Sequence, residues 1–262
     1  VYWLAGEQWE RVDAGKAMAF YQNYLRKYPD TSPDHVIEAH DRIAKIHEER
    51  GDTRAAERER AKALEAFDRF ARQGKPIRAN GHKVAAAADY PRLQALFDDL
   101  VDEELTGNED KDGKLLQDIK PKEIKDFEAQ ATGFASKFAD FEYSSAALLL
   151  KAKAPLYLAD LGLSIKCPEG FSEEECWAYD DILQELVFPE YYEVEEVGIG
   201  RLTALVDAAR DQKRYSKYID EALVELNKRR PADFPAAKDE IEGGTDSNAP
   251  LEIAPVRIDK EK

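Results

Sequence analysis

The side chains of this 262-residue chain with the most chemical potential are two cysteines and four histidines. Cys167 and Cys176 stand in Lys-Cys-Pro-Glu-Gly-Phe-Ser-Glu-Glu-Glu-Cys-Trp, where Pro168 and Gly170 can reverse the chain. Metal knuckles place cysteines roughly two to four apart and a redox pair reads Cys-x-x-Cys, so this wider spacing suits neither. Glu173, Glu174 and Glu175 surround Cys176 with negative charge, which disfavours the thiolate and hence a reactive nucleophile. A structural disulfide is the leading reading, and two unbridged thiols the alternative. A bridge would remove about 2–3 kcal/mol of chain entropy from the unfolded state. It would also place the chain in a secreted or periplasmic compartment.

Among the histidines, His35, His40 and His47 lie near one another. His40 and His47 fall two helical turns apart, whereas zinc helices set their ligands at three- or four-residue spacing. Packing or surface roles are expected of them. Asn108-Glu-Asp110-Lys-Asp112-Gly113 resembles the opening of an EF-hand calcium loop, with oxygen ligands at alternate positions and glycine at the sixth. Its twelfth position is Ile119 instead of a bidentate acid, so a solvated loop between helices is preferred over a weak calcium site at Asn108, Asp110 and Asp112. Gly198-Ile-Gly200 is too short for a dinucleotide or phosphate loop and reads as a flexible helix start. The chain has no P-loop, no Gly-x-Ser-x-Gly elbow and no His-Glu-x-x-His. All four histidines precede residue 83 and both cysteines follow 166, which makes a Cys–His pair remote. The chain therefore reads as a non-enzyme that needs no cofactor.

Charge narrows the partners. Acidic side chains number 54 against 38 basic, a net charge of −16. Nucleic acid and anionic membrane surfaces both demand a basic face and are not expected partners. No stretch approaches the roughly 18 apolar residues that cross a bilayer, so membrane insertion is not expected either. Residues 1–90 hold 16 basic and 15 acidic side chains, so almost all of the negative charge belongs to the remainder. With 43% hydrophobic residues the chain can bury a core. It opens at Val1 and has one methionine, Met18, so it reads as a processed product or part of something longer.

Helices must position these groups. In the first third, apolar residues recur at three- and four-residue spacing. Pro29 ends one helix; Thr31 or Ser32 caps the next, with Pro33 at its first position and Asp34 favouring its dipole. That second helix carries Val36, Ile37, Ala39, Ile43, Ala44 and Ile46 to a stop at Gly51-Asp52. A third runs from about Thr53 to Arg72 with Ala56, Ala63, Leu64, Phe67 and Phe70 on one face. Further helices are expected at about 89–105, 124–143, 146–163 (the most apolar), 173–186, 199–211 and 215–228. Past about Ala237 the composition turns to Asp, Glu, Gly, Ser and Pro, which reads as a disordered tail or linker.

Ile43-Ala44, His47, Gly51-Asp52, Ala56 and Ala63 resemble a tetratricopeptide repeat (TPR). Leu4-Ala5, Ala17, Tyr21, Tyr24 and Pro29 resemble an earlier repeat of the same kind. Arg60 stands where the family has an aromatic, and Asp68 where it has proline, so the second repeat should have a long second helix. The resemblance covers about a quarter of the chain. It implies an all-α, TPR-like helix-hairpin solenoid: two repeats in residues 1–74, further antiparallel helices stacked on them in 75–236 including the Cys167–Cys176 loop, and the tail in 237–262. Two repeats cannot bury a continuous core alone, so additional packed helices are required.

The family binds peptides on the face lined by the first helix of each repeat. Those positions are Tyr2, Gly6 and Trp9 in the first repeat and Glu38, Asp41, Lys45 and Glu48 in the second. Asp41 and Glu48 would repel a terminal carboxylate, which separates this chain from chaperone-docking TPR proteins. A second candidate surface is the aromatic-acidic strip 187–196 around Pro189, with Tyr191 and Tyr192. It reads either as a loop whose aromatics pin two helices or as a docking strip for a basic partner. The expected function is a protein-protein interaction scaffold that takes a partner protein or peptide. With a disulfide it is similar to bacterial envelope TPR proteins, faintly those of gliding-motility complexes. A cytoplasmic TPR adaptor with free thiols, or a regulatory helical domain of a larger enzyme, is the alternative.

Overall fold

The computed structural model describes residues 2–235, with side chains from Trp3 onward; the proposed tail at 237–262 lies outside the described residues. Helix succeeds helix with no strand among the described residues. The elements are α1 (Tyr2–Glu10), α2 (Ala14–Lys27), α3 (Pro33–Glu49), α4 (Thr53–Arg72), α5 (Ala79–Leu100), α6 (Glu109–Lys114), α7 (Lys120–Phe138), α8 (Phe141–Leu163), α9 (Glu173–Ile182), α10 (Phe188–Asp211) and α11 (Lys217–Arg229). Two π-helical turns, Leu115–Ile119 and Leu183–Val187, splice α6 to α7 and α9 to α10.

The chain divides into two compact units. Of the described residues, the first runs through Pro91 and includes Phe138–Tyr143; the second holds Arg92–Lys137 and 144–235. The first unit thus extends past residue 74, because α5 continues the helical run through its own buried Ala85 and Ala86.

In the first unit α1 packs on α2, α2 on α3 and α3 on α4. Asp13 caps α2 by accepting from the Gly15 and Lys16 amides, and Asp52 caps α4 by accepting from Ala55. Gly51, at a φ of +77°, makes the left-handed turn between α3 and α4 that a side chain would strain. Ala17, Tyr21, Tyr24, Ile43, Ala44, Ala56 and Ala63 are all buried. In α1 the register is one residue away from expectation. Leu4 is exposed, while Gly6 is buried so tightly that a Cβ there would lie 2.7 Å from the Phe20 ring. Trp3 stacks on His35 at 4.5 Å and meets Tyr21 and Tyr24 edgewise or tilted. Phe67 and Phe70 close the far side, with Phe67 against His82 and Phe138.

In the second unit α8 is the apolar spine, burying Leu149, Leu150, Leu156, Leu158 and Leu161 with five interleaved alanines. Helix α10 approaches it at two glycines. A Cβ on Gly198 would lie 2.4 Å from Leu156, and one on Gly162 would lie 2.3 Å from the Tyr191 ring. Gly198 is therefore mid-helix and buried for packing, not a flexible start. Glu128 of α7 takes both guanidinium nitrogens of Arg201 in α10 at 2.5 and 3.0 Å. Lys120, 1% exposed, donates to the Leu100 carbonyl and pairs with Glu103 and Glu123.

Several boundaries differ from the sequence reading for local reasons. Helix α5 starts at Ala79 instead of Asp89, and Pro91 sits inside it. The α7 helix ends at Phe138, and α8 takes up Phe141 to Tyr143. The strip at 187–196 is helical, since Pro189 occupies the first turn of α10 instead of a loop.

Candidate functional site

The α3 face predicted to meet a partner is engaged internally. Asp41 is buried and holds Lys45 at 2.6 Å; Glu48 holds Arg60 of α4 at 2.5 Å. Glu38 binds Arg42, which also reaches Glu10 at 2.6 Å and ties α1 to α3. Arg60 thus makes an ion pair across the α3–α4 hairpin. Of the predicted α3 positions, Lys45 remains well exposed. Gly6 is covered by Phe20 and Tyr21, and Trp9 is 38% exposed beneath the Lys16 ammonium. The side chain of Tyr2 lies outside the described residues.

The neighbouring face of α3 opens into a cavity of about 330 Å³. Gln22, Leu25 and Arg26 of α2, His40 and Ile43 of α3, and Glu59 of α4 line it. His40 Nδ1 and Glu59 Oε2 share a 2.7 Å hydrogen bond, and Lys62 donates to the other oxygen at 2.6 Å. Partial burial pushes the Glu59 carboxyl up, but the bonds from His40 and Lys62 outweigh it and hold its pKa at about 2. The carboxylate is therefore ionised throughout the physiological range. The cavity combines an apolar floor, a fixed anion and the exposed Arg26, which can grip one polar side chain of a partner. Sequence reading weighed His40 and Ile43 only on their own helix and did not join them to Arg26 and Glu59, which come from two other helices and form no linear motif with them.

At 108–113, read as a solvated loop with a weak calcium alternative, the side chains serve helix capping and the start of α6. Asn108 accepts from the Lys111 amide and starts α6. Asp112 spends both oxygens on the Thr106 amide and hydroxyl and the Gly107 amide, at 2.8–2.9 Å. Burial raises the Asp112 carboxyl, and those donors more than reverse it, holding the group below the usual carboxylate range. Asp110 lies in the first turn of α6, where it complements the helix dipole. No set of three metal-ligating side chains converges among the described residues.

In the second unit the strip divides. Tyr191 is buried over Gly162, whereas Tyr192 is 47% exposed. Cys167 and Cys176 stand at disulfide distance, 2.02 Å between sulfurs, and tie the preceding turn to α9, within which Cys176 lies. Closing a loop of this length is worth about 2.5 kcal/mol. Because α9 itself buries no side chain, that constraint acts mainly on α9. Cys167→Ser with Cys176→Ser should raise amide exchange in α9 by roughly 50- to 100-fold. Unchanged α9 exchange would show that α10 alone holds the segment.

No known family, curated protein or solved structure matches the chain. The described residues define an all-helical protein in two units, the second carrying a disulfide-closed hairpin. No described helix is long and apolar enough to cross a membrane.

Proposed function

We propose that this chain is a non-enzymatic protein-protein interaction scaffold whose first unit is a TPR-like pair of hairpins that receives a partner protein or peptide. The observation that carries this reading is the serial packing of α1 to α4 through small or glycine positions, Gly6, Ala17, Ala44, Ala56 and Ala63. Stacked hairpins of this kind present rigid concave surfaces, and pre-organisation lowers the entropic cost of binding. The contact zone comprises Trp9, Lys45 and the Arg26–His40 cavity. Asp41 and Glu48 fix the helices and set the local potential. The Cys167–Cys176 pair supports an oxidising compartment, and so a place in a bacterial envelope complex.

Photo-crosslinking in the native host tests the reading. A benzoylphenylalanine placed at Arg26 or Lys45 should yield a discrete adduct. The same group at Val224 of α11, which is 68% exposed, should yield none. Equal labelling from all three positions, or none from any, would reject the groove.

A further inference from the structure

The second unit displays an apolar surface of a different kind. Phe171 is 47% exposed, Trp177 62%, Ile182 52% and Leu186 75%. All four belong to the disulfide hairpin, α9 and the π turn that follows. Single exposed apolar residues are ordinary, but four large ones within sixteen consecutive residues are not. They are also held in place. Ser172 and Glu175 form a reciprocal capping box at the start of α9, with the Ser172 amide donating to Glu175 Oε2 at 2.7 Å. The cysteine pair anchors the same end. At the other end the π turn sinks Leu183 into the unit and runs on into α10. A helix of ten residues is marginal alone, so these three anchors hold in place a helix that itself buries no side chain.

Charge decides what covers it. From Cys167 through Gly200 there are eleven Asp and Glu residues and no Lys or Arg. Glu173, Glu174, Asp180, Asp181 and Glu185 are exposed among the four apolar residues. A second copy of this face would set carboxylates against carboxylates. An anionic lipid surface would be repelled for the same reason. A helix with Leu-type residues on one side and Lys or Arg along its flanks satisfies both the apolar and the acidic parts.

We propose that α9 and its π turn dock a basic amphipathic helix of a partner protein. The platform from Glu173 to Val187 is roughly 22 Å long, which matches about four turns of such a helix. Trp177 and Leu186 supply the buried contacts, and the acidic side chains steer the approach and fix the polarity of the bound helix. This surface goes beyond the groove of the first unit and does not depend on it.

Calorimetric titration of the intact, oxidised chain with three 18-residue peptides tests the proposal. The first is an amphipathic Leu/Lys helix, the second its Leu/Glu counterpart, and the third has the first peptide's composition in an order without an apolar face. The Leu/Lys helix should bind, at least tenfold more tightly than the reordered peptide, and the Leu/Glu helix should not. Trp177→Ser with Leu186→Ser, both on exposed positions, should weaken binding at least tenfold, and 0.5 M salt should also weaken it. Arg26→Glu in the first unit should leave it unchanged, so failure here and failure of the groove are read separately. Equal binding of the reordered peptide would reduce the effect to bulk charge and overturn the proposal. So would undiminished binding by the double variant, absence of binding, or self-association abolished by the same two substitutions.

Discussion

Arg229→Met should cost the second unit about 3 kcal/mol, the value typical of breaking a buried ion pair from one side. Its side chain is 8% exposed, and its guanidinium satisfies three carboxylates. Asp160 of α8 is bound in bidentate fashion at 3.0 and 2.6 Å, Glu195 of α10 at 2.6 Å and Glu225 of α11 at 2.8 Å. Three helices thus share one cation. Methionine keeps most of the aliphatic volume, so the loss reports the charge and not a cavity. It leaves Glu195 and Glu225, both largely buried, facing each other and Asp160 without a counterion. Asp160 is 55% exposed and rehydrates, which is why the figure stays at the lower end of the range. Arg229→Lys should recover only part, since an ammonium cannot reproduce the forked geometry. Urea unfolding of the three proteins measures this. A loss below about 1 kcal/mol for Arg229→Met would mean that the network behaves as an exposed surface pair.

This acid-rich half also shows where sequence reading stops. Periodicity located α2, α3, α4 and the apolar spine α8, because each carries its buried residues on an unbroken 3.6-residue pattern against a well-marked stop. It failed wherever the pattern was interrupted. The π turn at Leu183–Val187 adds a residue to the helical register, so Leu183 turns inward while Ile182 and Leu186 turn out. A regular helix over 173–186 would have buried some of these together. Pro189 misled for a different reason, since proline fits both a first helical turn and a break. Long-range pairing was not legible at all. Arg42 with Glu10, Arg201 with Glu128 and Arg229 with Asp160 join residues 32, 73 and 69 positions apart. Nothing local distinguishes those arginines from the other basic residues. The small residues did carry information: Ala44, Ala56 and Ala63 sit where helices must touch, and they are fully buried. In α1 the pattern was right and the register wrong. Ala5 and Gly6 are adjacent small residues, and the closeness of Phe20 and Tyr21 selects the one without a side chain.

The stability of the first unit should depend on Glu59 in acid. Its side chain is 14% exposed and its carboxyl is held at about 2, against an ordinary value of 4.5. A carboxyl whose folded value is depressed contributes stability that is fully present above the unfolded value. That contribution is lost as pH falls through the folded value. The window therefore runs from about pH 4.5 down to about pH 2, and the depression corresponds to about 3 kcal/mol. Glu59→Gln removes the titration while keeping an acceptor for His40 and Lys62. The variant should be less stable than the parent at pH 7, by no more than that amount. Its acid limb should be flatter, so that the two urea-stability curves converge as pH approaches 2. Glu57→Gln, on an exposed position of the same helix, should reproduce the parent's slope. Curves for Glu59→Gln and the parent that stay parallel from pH 5 to pH 2 would show that the His40–Glu59 bond is made with equal ease by a neutral acid. Glu59 would then be an ordinary carboxylate, still ionised at neutral pH but without the extra stabilisation that His40 and Lys62 give its charged form.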